Sequence, residues 1–228
     1  MIGKLIAFEG LDGSGKTSQS LMLKNYLNKN NIPCSIFSLY KEDIVERMLA
    51  NLDDIDMIDN IGSRYAVFAK LLCRQEWEIE KRLSQGEHII LDKYIYTFST
   101  TELVRGADRK ELNTMSLELK PADITFVLGA DPVAALSRKS KIGYREAGLD
   151  QYEYYGEKIT FKRFKEGYYP EDWIRNRYLQ FQNSLLETLN SLLEEHRSNR
   201  SIVCIKNNQS IEVVHQIIID SLLSTQVE

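Results

Sequence analysis

The segment from Gly10 to Thr17, "GLDGSGKT", places glycines around one lysine and satisfies the pattern G-x-x-x-x-G-K-[ST]. Glycines allow the backbone angles that turn successive N–H groups toward phosphate oxygens. Lys16 is predicted to reach the β- and γ-phosphates of ATP, and Thr17 to ligate Mg²⁺. The residues predicted to bind ATP are Gly10, Leu11, Asp12, Gly13, Ser14, Gly15, Lys16, Thr17 and Ser18.

A second polar residue, Asp92, ends the apolar run "HIILD". At the end of a buried parallel strand it would lie at the carboxyl edge of the sheet, where such folds bind ligands. An acid there can hold Mg²⁺ or its waters, whereas the alternative is that Asp92 only caps the following turn. The phosphate-binding loop favours the first interpretation, so the predicted metal ligands are Thr17 and Asp92.

Five short apolar runs alternate with helical patterns along the chain, which favours an α/β fold with a doubly wound, mostly parallel five-stranded sheet. The predicted strands are "KLIAFE", "CSIFSL", "HIILD", "DITFVLG" and "SIVCIK". The predicted helices span residues 17–28, 61–85, 109–119, 132–140, 172–197 and 210–223. Within the helix at 172–197, Trp173, Tyr178 and Phe181 are spaced to pack it on the sheet.

Composition sets limits on the class of protein. The 228 residues carry a net charge of −4, so a basic surface for duplex DNA is not indicated, and no run approaches membrane-spanning length. We expect a single domain with a P-loop over residues 1–228. The cysteines Cys34, Cys73 and Cys204 form no CxxC pair and are expected in the core of a cytoplasmic protein.

One region departs from the alternation of strands and helices. Residues 138–169 are rich in Arg, Lys, Tyr and Gly, and their apolar positions keep neither period. Long irregular segments inside compact domains are usually lids or insertions. A solvated insertion is the alternative, but positive charge directly after a strand and helix favours a lid.

Four motifs, in order, identify a resemblance to the thymidylate kinase family, a group of P-loop nucleoside monophosphate kinases. They are "FEGLDGSGKTSQ", "LDKYIYTFST", "PADITFVLGADPVAALSRK" and "EAGLD". The resemblance is nearest to a divergent branch with "DRYIYT…RG" and a "YEAG-[LM]-D" lid. It implies ATP-dependent phosphorylation of dTMP to dTDP, with Mg²⁺, in a homodimer formed through the helix at 61–85 and its neighbour.

The resemblance also implies roles for single residues. Asp12 would face the acceptor nucleotide, and Phe68 would stack on its base, although a core role for Phe68 is nearly as plausible. Lys93 stands where the family has an arginine for the acceptor phosphate, and Arg74 or Lys41 could assist it. The P-loop carries no arginine, so the catalytic cation is expected from the lid, with Arg138 and Arg145 ahead of Lys139 and Lys141.

The acceptor pocket is where the sequence departs most from the family. Leu72 occupies the position of the family's base-contacting arginine, and Thr101 stands near a tyrosine that crowds a ribose hydroxyl. We therefore expect a less selective pocket. The residues predicted to bind the acceptor are Asp12, Lys41, Phe68, Leu72, Arg74, Lys93, Thr97 and Thr101, and those predicted to act in catalysis are Lys16, Asp12, Asp92, Arg138 and Arg145.

Two other functions remain open at this point. One is a kinase for another nucleotide or for a nucleoside. The other is a non-catalytic P-loop switch that binds nucleotide without turnover. A switch would tolerate the loss of lid cations, so their presence in residues 138–169 favours an enzyme.

Overall fold

The computed structural model describes residues 2–38, 61–196, 201–206 and 209–224. Its centre is a five-stranded sheet made of β1 (Leu5–Glu9), β2 (Cys34–Ser38), β3 (His88–Asp92), β4 (Ile124–Leu128) and β7 (Ile202–Ile205). The strand order is β2-β3-β1-β4-β7, and every pairing is parallel. The predicted doubly wound sheet is confirmed.

Helices cover both faces of this sheet. They are α1 (Lys16–Lys29), α2 (Ile61–Arg74), α3 (Glu80–Ser84), α4 (Ile95–Val104), α5 (Arg109–Leu117), α6 (Pro132–Ser137), α7 (Phe161–Lys165), α8 (Glu171–Glu195) and α9 (Ile211–Ser224). On one face, Leu23 of α1 and Ile218 of α9 pack against Ile6 and Phe126 of the sheet. On the other face, Phe68 of α2 and Leu112 of α5 pack against Leu5.

The register of the sheet fixes the position of the site. Phe8 of β1 is paired with Asp92 of β3, so the loop after β1 and the end of β3 meet at one edge of the sheet. Parallel strands all present their carboxyl ends at that edge, which is where doubly wound folds bind ligands. Asp92 therefore lies beside the glycine-rich loop, as predicted.

Helix α4 is absent from the sequence-based prediction. Its segment "IYTFSTTELV" is rich in β-branched and aromatic residues, which have weak intrinsic helix propensity. A tertiary contact stabilises its first turn, because the carboxylate of Glu9 accepts hydrogen bonds from the backbone N–H groups of Tyr96 and Thr97, both at 2.9 Å. Glu9 is fully buried at the end of β1. Capping of this kind cannot be found from local sequence.

Other boundaries differ in detail from the prediction. The helix at 61–85 contains a π-helical segment, Gln75–Ile79, between α2 and α3. Helix α6 ends at Ser137, three residues earlier than predicted. The side chains of Tyr178 and Phe181 are buried, as predicted, but Tyr178 packs on the 138–169 region and Phe181 on Leu11.

Residues 138–169 contain a 3-10 turn (Leu149–Gln151), a two-stranded hairpin of β5 (Glu153–Tyr154) and β6 (Glu157–Lys158), and helix α7. Tyr144, Leu149, Ile159 and Tyr169 are buried in a cluster that includes Tyr178 of α8. The region is thus folded around an apolar cluster that it shares with α8. A solvated insertion does not describe it.

Among the cysteines, only Cys34 is buried, so the expectation of core positions for Cys73 and Cys204 was wrong. Cys204 lies on β7, which is the last strand of the sheet among the described residues. None of the helices in the described ranges is long and apolar enough to cross a membrane.

Candidate active site

The loop between β1 and α1 holds its shape through glycines with positive φ. Gly13 has φ 81°, and a Cβ at this position would lie 2.9 Å from Cβ of Ala135 in α6. Only glycine combines that backbone angle with such a close approach. The loop is therefore packed against α6, the helix that leads into the 138–169 region.

Lys16 begins α1 and is only 4% exposed. Its Nζ donates hydrogen bonds to the carbonyl oxygen of Leu11 at 2.6 Å and to Oγ of Ser14 at 3.4 Å. Burial lowers the pKa of Lys16 to about 8, and the positive charge of Lys93 acts in the same direction, against Asp12, Asp92 and Glu9. A phosphate that approaches Lys16 would stabilise its charged form, which burial disfavours.

Thr17 and Asp92 lie side by side, with Oγ1 of Thr17 donating to Oδ2 of Asp92 at 2.6 Å. The other oxygen, Oδ1 of Asp92, is buried and has no hydrogen-bond partner within the described ranges of the chain. Hydroxyl and carboxylate oxygens are the ligands that hard divalent cations prefer. The two residues therefore fit a hard divalent cation, which they would hold through these oxygens.

Asp12 and Lys93 form an ion pair, with 2.6 Å between Nζ of Lys93 and Oδ1 of Asp12. Burial opposes the ionisation of Asp12, but the charges of Lys93 and Lys16 outweigh it and lower its pKa to about 2. Lys93 has φ 73°, a left-handed conformation that is costly for a residue with a Cβ. Its backbone N–H donates to the carbonyl oxygen of Phe8, which holds this conformation in place.

Two cavities open at this edge of the sheet. A cavity of about 670 Å³ is lined by the glycine-rich loop, Lys16, Thr17, Ser18, Asp92, Arg138 and residues at the start of α9. A cavity of about 360 Å³ is lined by Thr97, Thr101, Arg105, Arg145 and residues of α8. Asp12 and Lys93 line both. The arrangement can hold two phosphate-bearing ligands with their phosphates adjacent.

The structure does not bring every predicted acceptor residue to the second cavity. Phe68 is 8% exposed, and its ring stacks on Phe98 with 6.2 Å between centroids. Leu72 packs against the same core. The neighbouring residue that lines the cavity is Val67, because one step along a helix turns the side chain by about 100°.

Arg74 also lies away from the smaller cavity. Its guanidinium donates to the carbonyl oxygen of Ser38 at 3.3 Å and stands 5.3 Å from the ring centroid of Phe37. Ser38 ends β2 and lines the larger cavity, so Arg74 is directed toward that end of the sheet. Lys41 falls outside the described residues.

The predicted lid cations occupy different cavities. Arg138 donates to the carbonyl oxygen of Gly13 at 2.9 Å and lines the larger cavity, whereas Arg145 lines the smaller one. Lys139 is paired with Glu146 at 2.8 Å. Each of the two cavities that Asp12 and Lys93 line therefore contains one of the two arginines in its lining.

A further ion pair was missed by sequence analysis. Nε of Arg105 lies 2.8 Å from Oδ2 of Asp150, whose side chain is fully buried. Arg105 belongs to "RG" after α4, and Asp150 belongs to "EAGLD". Both motifs contribute to the family resemblance, but the sequence does not indicate that these two residues pair. Their pairing joins α4 to the 138–169 region beside the smaller cavity.

A parallel sheet in this order, with a phosphate-binding loop after β1 and an acid at the end of β3, defines a P-loop nucleotide kinase. The sequence profile of the thymidylate kinase family matches residues 8–174. The chain belongs to the thymidylate kinase family, whose reaction is the phosphorylation of dTMP to dTDP with ATP. It is a nucleoside monophosphate kinase, as predicted, and such phosphoryl transfer generally requires a divalent metal.

Individual relatives agree with this assignment. The chain is 34% identical over 164 residues to a probable thymidylate kinase 2 of Saccharolobus solfataricus, covering 66% of this chain and 72% of that protein. It is 33% identical over 165 residues to a thymidylate kinase of Wolbachia pipientis, covering 64% and 75%. The solved structure of thymidylate kinase from Candida albicans has the same fold, with a TM-score of 0.70 and 18% identity over 99% of this chain and 93% of that one.

Proposed function

We propose that the protein performs this reaction with Mg²⁺, binding ATP in the larger cavity and dTMP in the smaller one. The observation that carries the proposal is the wall of Asp12 and Lys93 that lines both cavities. Phosphoryl transfer needs the two nucleotides to meet with their phosphates in line, and little else from the protein except charge stabilisation.

The donor side is formed by the backbone N–H groups of residues 10–18 and by Lys16. In the described structure Nζ of Lys16 is bound by Leu11 and Ser14. The β- and γ-phosphates of ATP replace these weaker, neutral partners with charged ones. Lys16 thus neutralises charge on the donor as the bond to the γ-phosphoryl group breaks.

Thr17 and Asp92 are the residues that would hold Mg²⁺, and the unpartnered Oδ1 of Asp92 supports this assignment. When bound, the cation neutralises charge on the β- and γ-phosphates. Asp92 also accepts a hydrogen bond from the hydroxyl of Thr17, which holds the Thr17 and Asp92 oxygens next to each other.

On the acceptor side, Lys93 binds the phosphate of dTMP, and Asp12 orients its ammonium group. Thr97 and Thr101 of α4 line the cavity beyond the phosphate. Phe68, Leu72 and Arg74 were predicted to contact the acceptor as well; for Phe68 and Leu72 their core packing instead supports an indirect role, through the position of α2.

The lid supplies cations to the transferring group. Arg138 is bound to the P-loop carbonyl of Gly13, and Arg145 lines the acceptor cavity. We expect Arg145→Ala to lower kcat by 10- to 1000-fold with little change in the Kd for ATP, because a cation on the transition-state charge acts chiefly on kcat. Single-turnover assays and ATP titrations of the same variant test this. An unchanged kcat would remove Arg145 from the mechanism. The control is Lys162→Ala, which alters an exposed cation of the same 138–169 region.

The protein is further proposed to act as a cytoplasmic homodimer. Trp77 and Leu117 are 76% and 84% exposed on the helical layer formed by α2 to α5, which supports burial of this layer against a second copy. The three free cysteines are consistent with a reducing compartment.

The acceptor is tested by measuring kcat/KM for dTMP, dUMP, UMP, dCMP and dGMP with ATP and Mg²⁺. We expect dTMP to be phosphorylated and dUMP or UMP to lie within about 100-fold of it, since one lost polar contact changes selectivity by roughly 10- to 200-fold. Thr101 is smaller than the family's tyrosine and leaves room in the pocket. A preference for dTMP above a thousandfold would contradict relaxed selectivity. Turnover of none of the five would contradict the kinase itself and favour a nucleotide-dependent switch.

A further inference from the structure

The side chain of Gln182, on α8, lines the smaller cavity and is only 1% exposed. Its Nε2 donates a hydrogen bond to the carbonyl oxygen of Glu146 at 2.9 Å. Its Oε1 is buried and has no hydrogen-bond partner in the parts of the chain that the structure describes. A buried polar atom of this kind is uncommon, because leaving it unpaired is destabilising.

The orientation of this amide is fixed by its partner. A backbone carbonyl oxygen can only accept hydrogen bonds, so the nitrogen of Gln182 must be the atom that faces Glu146. The oxygen is then the atom left over on a side chain that lines the cavity. A ligand that packs against Gln182 in the cavity would therefore find this oxygen as the free acceptor of the side chain.

The position of Gln182 along α8 indicates which part of the acceptor nucleotide it meets. The hydroxyl of Tyr178, one helical turn earlier, lies within electrostatic reach of Asp12 and Arg138 at the phosphate end. Gln182 lies about 6 Å further along the helix axis. Leu185 and Leu189, which line the same cavity, follow in the next two turns.

A 5′-nucleotide has the same order of groups. Its phosphate is followed by the sugar, and the base lies beyond the sugar. With the phosphate at Lys93, the level of Gln182 corresponds to the sugar, and the apolar level of Leu185 and Leu189 corresponds to the base. The donors that a sugar carries are its hydroxyl groups.

We propose that Oε1 of Gln182 accepts a hydrogen bond from a sugar hydroxyl of the acceptor nucleotide and makes Gln182 a specificity-determining residue of this kinase. The inference rests on the proposed assignment of the smaller cavity to the acceptor. Because Glu146 follows Arg145, the same glutamine connects the sugar to the segment that carries a lid cation.

The test compares wild type with Gln182→Met, which keeps the length of the side chain and removes its amide. kcat/KM is measured for dTMP, its 3′-deoxy analogue, dUMP and UMP. If the 3′-hydroxyl is the donor, the variant loses 10- to 100-fold with dTMP, dUMP and UMP and less than about threefold with the 3′-deoxy analogue. If the 2′-hydroxyl is the donor, only UMP suffers that loss.

The control is Gln180→Met, which alters an exposed glutamine two residues away on the same helix. It should match wild type with all four acceptors. Equal losses for all four acceptors in Gln182→Met would overturn the inference, since they would show a structural role through Glu146. A wild-type protein that phosphorylates none of the four overturns the proposed function itself.

Discussion

Lys16 is the residue whose chemistry the described structure defines most closely. It is buried at the start of α1, held by Leu11 and Ser14, and surrounded by both signs of charge. A lysine in this environment titrates nearer to neutrality than one in water, and its charge state decides how well the loop binds phosphate.

The affinity for ATP should therefore depend on pH. The pKa of Lys16 is lowered to about 8 in the free protein, so raising the pH through 8 removes the charge that ATP binds. We expect the Kd for ATP to be insensitive to this group below pH 8 and to rise by up to roughly tenfold per pH unit above it. Isothermal titration calorimetry between pH 6.5 and 9.5 measures this.

The control for this titration is Lys16→Ala, which should bind ATP weakly and show none of the increase in Kd that Lys16 causes. A wild-type Kd that stays constant from pH 7 to 9.5 would contradict the lowered pKa.

Single residues differ in how far the sequence could predict them. The positions of Lys16, Thr17 and Asp92 at one edge of the sheet were predicted, because a motif and the end of a strand fix them. Glu9 and Gln182 were not, because neither belongs to a local pattern. Glu9 accepts hydrogen bonds from Tyr96 and Thr97, and Gln182 donates one to Glu146. Only the assembled fold creates these contacts.

At the scale of elements, the junction between α4 and the 138–169 region depends on the pair of Arg105 and Asp150. The side chain of Asp150 is fully buried and that of Arg105 is 13% exposed. Removing Arg105 takes away the guanidinium that compensates the buried charge of Asp150, and such a loss is more costly than the pair itself is stabilising.

We expect Arg105→Met to lower the free energy of unfolding by about 3–5 kcal/mol, measured by urea denaturation. Adding Asp150→Asn to that variant should recover part of the loss, because the buried negative charge of Asp150 is then removed as well. The control is Arg109→Met, whose pair with Glu195 has side chains 44% and 49% exposed, and which should cost about 0–1 kcal/mol. Equal effects of the two single changes would contradict a structural role for the buried pair.

Elements with strong periodic patterns were predicted, and those that depend on tertiary contacts were not. The five strands are continuous apolar runs, which a parallel sheet with both faces covered requires. Helix α4 contains few residues of high helix propensity, and its first turn is capped by Glu9 of β1. The hairpin and short helix within 138–169 form around Tyr144 and Tyr169, whose spacing matches neither period.

At the scale of the whole molecule, two large apolar side chains of the helical layer from α2 to α5 are highly exposed, Trp77 at 76% and Leu117 at 84%. Trp77 lies in the π-helical segment and Leu117 at the end of α5. Large apolar side chains on a helical layer next to the acceptor site are the expected signature of contact with another copy.

The dimer is tested by Trp77→Glu, which places a charge in the proposed interface. We expect this variant to sediment as a monomer at concentrations where wild type is a dimer, because burying an unpaired charge is costly. Analytical ultracentrifugation over a concentration series measures the equilibrium. Tyr155→Glu is the control, since Tyr155 is 91% exposed on the lid hairpin and should not affect association. A monomeric wild type, or a dimeric Trp77→Glu, would contradict this interface.

The order of strands also governs when the protein can fold during its synthesis. Within the sheet, the central strand β1 leaves the ribosome before both of its neighbours, β3 and β4, which end at Asp92 and Leu128. A nascent chain therefore carries Ile6 and Phe8 without any sheet partner until β3 has been made, and with only one partner until β4 has been made. Parallel pairing over such separations is slow, and unpaired apolar strands favour aggregation. Because Asp92 arrives with β3, a shorter nascent chain lacks this part of the proposed nucleotide site, and we expect ATP not to stabilise it.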